Sequence, residues 1–280
     1  MVSLWSDLRV LARGTYLQYV ARIKLLDDAI IRSNEPEEVL TYTYKNHDLG
    51  NRFIIPWRKI KGKVRRTAME KMRGLGISPD CHLKDGLCMK CPCCILFGGT
   101  GDVSAAKVGY NLLSRVLGDT FISTDRVDTI NSYTANAVDE KSLTTGQALM
   151  TLVKAPAETE FRGVITLRDP TKDSAAIVRD SLLRLTRVGA STREWGRCQT
   201  TIEGYYLSDQ EETSSYELAC GEPPSLSADA DLQLPSADEA FRSFAEQCES
   251  MVREFAGTKK SSAKKEAKGR KKTGPEESEE

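Results

Sequence analysis

The residues best suited to carry chemistry are cysteines gathered in one short segment. Five of the eight cysteines lie between positions 81 and 94, in the run CHLKDGLCMKCPCC. Thiolates two residues apart can bind the same ion, and Zn²⁺ takes four such ligands in a tetrahedron. His82 is a possible substitute for Cys81 as a ligand. Cys93 falls outside the regular spacing of Cys88, Cys91 and Cys94, so we do not expect it to bind the same ion. The spacing predicts a zinc site whose ligands are Cys81, Cys88, Cys91 and Cys94.

Two other interpretations of these cysteines stay open. An iron–sulfur cluster also takes four thiolates, and free cysteines are often packed in a hydrophobic core. Core packing is disfavoured because the same segment contains Lys, Gly and Asp. Nothing nearby suggests an open coordination position, so we expect a structural role for the metal.

The glycines that follow, Gly98-Gly99-Thr100-Gly101-Asp102, look like the turn of a dinucleotide-binding fold. That fold needs a hydrophobic strand directly before the glycines and a helix directly after them. Only Ile95-Leu96-Phe97 separates the glycines from the cysteines, which is too short for a central strand. The glycines are therefore expected to let the chain leave the metal site.

A basic stripe precedes the cysteines. Segment 52–73 holds nine Lys or Arg and a single acid, Glu70. Cation arrays of this kind bind phosphate backbones, because each neutralised phosphate releases counterions. A merely solvated helix face usually mixes both signs, which this segment does not. The residues predicted to bind RNA here are Arg58, Lys59, Lys61, Lys63, Arg65 and Arg66.

A second candidate for nucleic-acid binding is the glycine-bracketed loop GASTREWGR at 189–197. Its hydroxyl and guanidinium groups can donate to phosphates and 2′-hydroxyls, and its tryptophan can stack on a base. An ordinary helix-to-strand turn is the alternative. The loop residues predicted to bind RNA are Gly189, Ser191, Thr192, Arg193, Trp195 and Arg197.

The elements that must position these residues follow from hydrophobic periodicity. Ile60, Val64, Ala68 and Met72 recur at helical spacing and predict a helix over 57–73. β-branched and aromatic runs predict strands at 14–26, 38–45, 163–169 and 198–207, with further short strands between 105 and 165. The polar stretch 131–147 is expected to be an extended arm or hairpin.

Helical spacing of Ile177, Leu182, Leu185 and Val188 predicts an amphipathic helix that reaches Arg187. Residues 208–235, rich in Ser, Pro and acids, are expected to form a flexible connector. A final helix is predicted over 237–256 from the phenylalanines and other apolar residues spaced along it. The Lys/Glu-rich tail 257–280 is expected to be disordered.

Composition limits the class of protein. Formal net charge is zero, but segment 208–240 holds nine acids and no base, so the charge lies in separate blocks. Apolar runs are only a few residues long, which excludes a membrane-spanning helix. The N-terminal MVSLWSDLRVLARG lacks the apolar stretch of a signal peptide. We expect a globular protein in the cytoplasm with no membrane partner.

Four segments together resemble a known family. IIPWRKIKGKVRR (54–66) resembles a motif of the RAMP superfamily of CRISPR-associated proteins. CMKCPCCILFG (88–98), VITLRDPT (164–171) and LLRLTRVGASTREWGR (182–197) complete a set that is similar to the backbone subunit of the type I-D CRISPR effector complex, a Cascade-type complex. The resemblance covers roughly residues 14–207 in the same order.

This resemblance implies an α+β fold with an RRM-like (ferredoxin-like) palm formed by residues 1–76 and 105–256. It further implies a zinc-binding insertion at 77–104 and a β-hairpin thumb at about 120–162. Copies of such a subunit polymerise along one CRISPR RNA (crRNA), beside other effector-complex subunits, and present the guide to a target DNA strand. One departure is that Tyr16 and Tyr19 do not form the stacking signature of ordinary RNA-recognition modules.

Two other functions remain open. Some related backbone subunits use an aspartate to cut the strand that they measure, and Asp27, Asp28, Glu35 and Asp48 are the acids nearest the relevant region. No carboxylate cluster with metal-catalysis spacing singles one of them out, so we expect no enzyme activity. The other possibility is a general single-stranded nucleic-acid-binding zinc protein, which would not assemble in proportion to RNA length.

Overall fold

The computed structural model describes residues 2–31, 39–44, 47–127, 132–138, 145–221 and 225–270. Its strands are β1 (Tyr16–Leu25), β2 (Ala29–Ile30), β3 (Val39–Tyr44), β4 (His47–Ile55), β5 (Val116–Gly118), β6 (Phe121–Ser123), β7 (Ser132–Val138), β8 (Thr145–Ala155), β9 (Glu160–Arg168) and β10 (Cys198–Ser208). Its α-helices are α1 (Trp57–Gly74), α2 (Pro92–Phe97), α3 (Lys172–Leu183), α4 (Ser215–Cys220) and α5 (Ala237–Arg270). A 3₁₀ turn spans Asp229–Leu232.

The main sheet has seven strands in the order β10-β1-β9-β6-β4-β3, with β5 also paired to β9. Its strand pairs are antiparallel. A second, three-stranded sheet has the order β2-β8-β7. Mixed helices and antiparallel strands confirm the expected α+β class. The antiparallel pairing of β7 with β8 matches the hairpin expected near 131–147.

One face of the main sheet carries the helices. Alternate β1 residues, such as Leu17, Tyr19 and Ile23, are fully buried on that face, as the two-residue side-chain period of a strand requires. Helix α1 has the predicted bounds within one residue and buries Ile60 and Val64 against the sheet. Helices α3 and α5 pack against each other on the same core.

The opposite face is covered at one end by a segment predicted to be a flexible connector. Gln18 on β1 donates to the Thr213 carbonyl at 2.9 Å, and its Oε1 accepts from the Glu212 amide at 2.6 Å. Helix α4 follows, and Leu218 packs against two valines of the sheet. The prediction of flexibility over 208–235 is therefore wrong for this part. The polar composition of the segment suggested a flexible chain, but Ser214 and Glu217 form a capping box that satisfies the free amides at the start of α4.

Two helix ends also differ from the prediction. Helix α3 ends at Leu183 instead of Arg187, yet Leu185 and Val188 are still buried because an extended segment carries them. Helix α5 continues to Arg270, past the predicted end at 256, so the tail expected to be disordered is helical over 257–270. Lys, Ala and Glu favour a helix, and each of the two glycines in this segment costs about 1 kcal/mol without ending the helix. Positions 271–280 lie outside the described residues.

The first of the short strands expected between 105 and 165 is β5, which begins only at Val116. Within the part of the chain that the structure describes, no helix combines the length and the apolar character needed to cross a bilayer.

Candidate metal centre and nucleic-acid interface

The sulfurs of Cys81, Cys88, Cys91 and Cys94 lie within 4.8 Å of one another. The Sγ of Cys81 is 3.7 Å from the Sγ atoms of both Cys91 and Cys94. Four thiolates gathered this closely are the ligand set of a structural metal site, and they are the four cysteines that the spacing predicted. The cluster could therefore hold a metal ion.

The local backbone brings the sulfurs together. Cys91 is the N-cap of α2, and its Sγ accepts a hydrogen bond from the Cys94 amide at 3.4 Å. Pro92 begins the helix, where its missing amide hydrogen costs nothing. Between Cys88 and Cys91, Met89 has a φ of 59°, which turns the chain tightly enough for both sulfurs to face inward.

The thiols of the cluster differ in pKa. Hydrogen bonds from Cys81, Cys91 and Cys94 hold the pKa of the Cys88 thiol well below its usual range. The pKa of the Cys91 thiol is raised, because Cys81, Cys88 and Cys94 compete for the same protons and because it is buried. A cation at the centre would remove this competition, since bound thiolates are deprotonated together.

His82 does not join the cluster. Its ring is exposed, with Nδ1 2.9 Å from the Asp80 carbonyl oxygen and Nε2 3.6 Å from Asp85. Cys81 thus fills the fourth position, and the structure does not use the predicted substitute. Cys93 is fully buried in the core and lies outside the set of converging sulfurs.

The glycines after the cluster bring the chain out of it. Residues 95–97 belong to α2 and not to a strand, so the arrangement of a dinucleotide-binding fold is absent from this segment. Gly98 caps the helix with φ 83°, and Gly99 pairs with Leu112. A Cβ on Gly101 would lie 2.2 Å from the Tyr110 and Val108 carbonyl oxygens, which explains the need for glycine at this crossing.

The four-cysteine cluster lies at the end of the basic helix α1. Arg73 in the last turn of α1 donates to the Cys81 carbonyl at 3.1 Å, and α1 also contacts α2. Loss of the cluster would therefore remove support from the C-terminal end of α1.

A groove lies between the first half of α1 and the loop 189–197, and we call it the first basic groove. Its volume is about 450 Å³. Its walls include Ile55, Ile60 and Val188, and its polar rim brings together Arg58, Lys59, Gly62, Lys63, Arg66 and Gly189. The two segments that the sequence marked separately for RNA binding thus face each other. Lys63 Nζ is 3.4 Å from Thr192 Oγ1 across the groove.

Three cations of the groove are not neutralised within the described part of the chain. Among the described residues, no carboxylate forms an ion pair with Lys59, Lys63 or Arg66. Burial, followed by the neighbouring Arg66 guanidinium, lowers the pKa of Lys63. An anion in the groove would offset both effects.

Lys61 and Arg65 lie on the other flank of α1, apart from this groove. Both are half-buried, and burial together with Arg65 lowers the pKa of Lys61. Within the described part of the chain, Nε and Nη2 of Arg65 are buried without a hydrogen-bond partner. The predicted set of six basic residues is therefore divided between two faces of the helix.

The loop 189–197 is held in place by the chain after β1. The Ala190 amide donates to the Ile30 carbonyl at 2.6 Å, and the Gly196 amide donates to the Asp28 carbonyl at 2.8 Å. Gly189 and Gly196 have φ values of 85° and 77°, in the left-handed region that glycine adopts without strain. The loop is therefore a fixed platform.

Side chains on this platform differ in their availability. Ser191, Arg193 and Arg197 are exposed, whereas Trp195 is half-buried. The Lys154 ammonium lies over the Trp195 ring, 3.8 Å from its centroid, so a cation–π contact occupies one face of the indole. Lys154 has no local sequence signal for this role, because its contact is made with a residue 41 positions away.

Two acids considered as catalytic candidates have structural contacts here. Asp27 Oδ1 accepts from the Arg197 amide at 2.6 Å, and Asp28 Oδ1 accepts from the Ala157 amide at 3.1 Å. Glu35 lies outside the described residues, and the side chain of Asp48 is not described either.

The sheet offers no stacking platform of the ordinary RNA-recognition kind at Tyr19. This side chain is fully buried on the helix side and donates to the Ala175 carbonyl at 3.3 Å. The cations of the groove are groups that can contact phosphates, and such contacts carry little sequence information.

Comparisons with known proteins give one family. The family described as Csc2 Crispr matches residues 36–272. No curated protein sequence matches the chain.

Two solved structures resemble the fold. The crystal structure of Thermofilum pendens Csc2 has 19% sequence identity and a TM-score of 0.61, covering 90% of this chain and 93% of that one. A structure titled Type IV-B CRISPR Complex contains a chain with 16% identity and a TM-score of 0.50, covering 66% of this chain and 90% of that one. At these identities the likeness shows a common fold.

Proposed function

We propose that this chain, which belongs to the Csc2 CRISPR family, is the crRNA-binding backbone subunit of a type I-D CRISPR interference complex. Copies of the chain would line one crRNA, beside the other effector-complex subunits, and present the guide to a target DNA strand. The observation that carries the proposal is the first basic groove, where Lys59, Lys63 and Arg66 face the loop 189–197.

The fold is suited to this role. Apart from its additional strands and the short helix α2, the chain passes through β1, α1, β6, β9, α3 and β10, the βαββαβ order of an RRM-like palm. We assign the thumb to the hairpin β7–β8 within the predicted range 120–162, and the insertion to 77–104. The proposed location is cytoplasmic, without a membrane partner.

Stoichiometry against RNA length tests the proposal. Single-stranded RNAs of increasing length are mixed with the chain, and the complexes are weighed by native mass spectrometry at two salt concentrations. One additional subunit for each fixed increment of RNA is expected, with weaker binding at high salt. Replacing Lys59, Lys63 and Arg66 with Gln should reduce occupancy at every length. One subunit per strand at all lengths would favour the general single-stranded nucleic-acid-binding protein instead.

We propose Zn²⁺ as the ion of the four-cysteine cluster, in a structural role. The all-thiolate set, in which three of the four cysteines are buried, supports this choice. Elemental analysis of the purified chain should give one zinc per chain and no iron. Iron with acid-labile sulfide would identify the iron–sulfur alternative.

We further propose that the subunit binds RNA without cleaving it. Asp27 and Asp28 accept backbone hydrogen bonds from the loop 189–197 and from the turn between β8 and β9, so both carboxylates have a structural role. Incubation with labelled RNA and Mg²⁺ should leave the strand intact. Cleavage at regular intervals that is lost in an Asp→Ala variant would establish the ruler-type nuclease.

A further inference from the structure

A second basic groove lies on the other side of Lys63 and Arg66 from the first. It runs between α1 and residues 184–187, which follow α3, and its volume is about 410 Å³. Lys63 and Arg66 border both grooves, so the two form one continuous trough across the helix. The charged residues of the second groove are Lys63, Arg66, Glu70, Lys71, Arg184 and Arg187.

This groove exists because α3 ends early. Leu185 and Val188 are buried, with 3% and 1% exposure, and between them the chain is extended and bonded to the start of β10. The Cys198 amide donates to the Thr186 carbonyl at 2.8 Å. This conformation directs Thr186 and Arg187 toward α1, whereas a continued helix would have formed no groove at this position.

Positive charge is crowded here. Burial lowers the pKa of Lys63, and the guanidinium groups of Arg66 and Arg187 lower it further from two sides. Lys71 is paired with Asp238, and Arg184 with Asp180 at 2.6 Å. Both pairs are partly exposed, so solvent weakens them and a phosphate can compete for the cations.

We propose that the second basic groove binds a further stretch of the same RNA backbone, so that the strand crosses α1 over Lys63 and Arg66 with phosphates on both sides. The ligand is the phosphodiester backbone of single-stranded RNA, contacted by Arg184 and Arg187. This inference rests on the proposed function, since it extends the RNA path beyond the first groove.

The salt dependence of RNA affinity counts phosphate contacts and therefore tests the path. For single strands, each contact contributes about 0.7 to the slope of log K against log salt. Replacing Arg184 and Arg187 with Gln should reduce the slope by about 1.4 and weaken binding about tenfold at physiological salt. Replacing both with Lys should keep the slope, because the phosphate-neutralising charge is retained.

The control variant replaces Arg9 and Arg253 with Gln. Both arginines are exposed and ion-paired, and neither lines a basic groove. The partner of Arg253 is a glutamate four residues earlier, which matches the spacing of the Arg184–Asp180 pair. Its slope should equal that of the parent chain. Thermal unfolding of each variant shows that the fold is intact.

Two outcomes would overturn the inference and are distinguishable. If the Arg184/Arg187→Gln variant keeps the parent slope while Lys59→Gln lowers it, RNA occupies only the first groove and the proposed function stands. If neither variant lowers the slope, the backbone-binding proposal fails together with this extension.

Discussion

The loop that faces α1 depends on a glycine whose replacement has a calculable cost. Gly196 has φ 77°, and a Cβ at this position would lie 1.9 Å from the Val188 carbonyl oxygen. Gly196 makes two backbone hydrogen bonds, each 2.8 Å long. Its amide donates to the Asp28 carbonyl, and its carbonyl accepts from the Val188 amide. Substitution by alanine therefore combines backbone strain with a collision that must separate paired backbone groups.

The size of the effect follows from these terms. A non-glycine residue in the left-handed region costs about 1–2 kcal/mol. Each hydrogen bond lost adds about 1 kcal/mol. Gly196→Ala is thus expected to lower the free energy of unfolding by about 3–4 kcal/mol when both bonds break. The displaced Val188 and Gly189 border the first basic groove, so RNA affinity should fall as well.

Gly76→Ala provides the matched control. Gly76 has φ 75°, nearly the same as Gly196, but a Cβ there would meet nothing within 4 Å. It should cost only the backbone term, about 1–2 kcal/mol, and leave RNA affinity unchanged. Chemical denaturation of the two variants measures the difference, which we expect to be about 2 kcal/mol. Equal destabilisation by the two substitutions would refute the argument from close approach.

Three further predictions concern other parts of the molecule. Cys91→Ser should abolish stoichiometric zinc and lower the melting temperature, whereas Cys93→Ser should retain the metal; elemental analysis that shows zinc in both would contradict the assigned ligand set. Leu218→Ala should cost about 2–5 kcal/mol on urea denaturation, because the side chain packs in the small cluster under α4; a loss near zero would mean that α4 does not stabilise the sheet. Burial raises the pKa of Asp119, so its contribution to stability is present below the unfolded value of 3.8 and is lost as pH rises through the raised folded pKa. Asp119→Asn should flatten that decline in pH-dependent denaturation, and an unchanged pH profile would show that another group causes it.

Much of this architecture was accessible from the sequence, for identifiable reasons. Helix α1 was predicted within one residue because its apolar residues recur at helical spacing and glycines follow its end. The four-cysteine cluster was predicted because two-residue spacings restrict which sulfurs can meet. In both cases the determining interactions lie within about 20 residues of chain.

The errors arose where distant contacts override local pattern. Helical spacing continued through Leu185 and Val188, but pairing with the start of β10 extends the chain there instead. The connector 208–235 was judged by its composition, whereas Gln18 on β1 binds its backbone across 195 residues of sequence. Helical spacing places Lys59, Lys63 and Arg66 on one side of α1. Which segment of the chain lies beside them depends on distant contacts, and the local pattern does not contain that information.

The two-residue strand β2 limits how this chain can tolerate insertions. Ala29 and Ile30 pair with β8 on one side, and Ile30 pairs with Ala190 of the loop on the other. A strand's side chains alternate between the two faces of the sheet, so one added residue would turn every later side chain of the strand to the opposite face. A single-codon insertion between Asp28 and Ile30 would therefore shift the hairpin and the loop 189–197 together. Insertions or deletions in the hairpin β7–β8 or in the loop 189–197 are compatible with the fold only when they leave β2 unchanged.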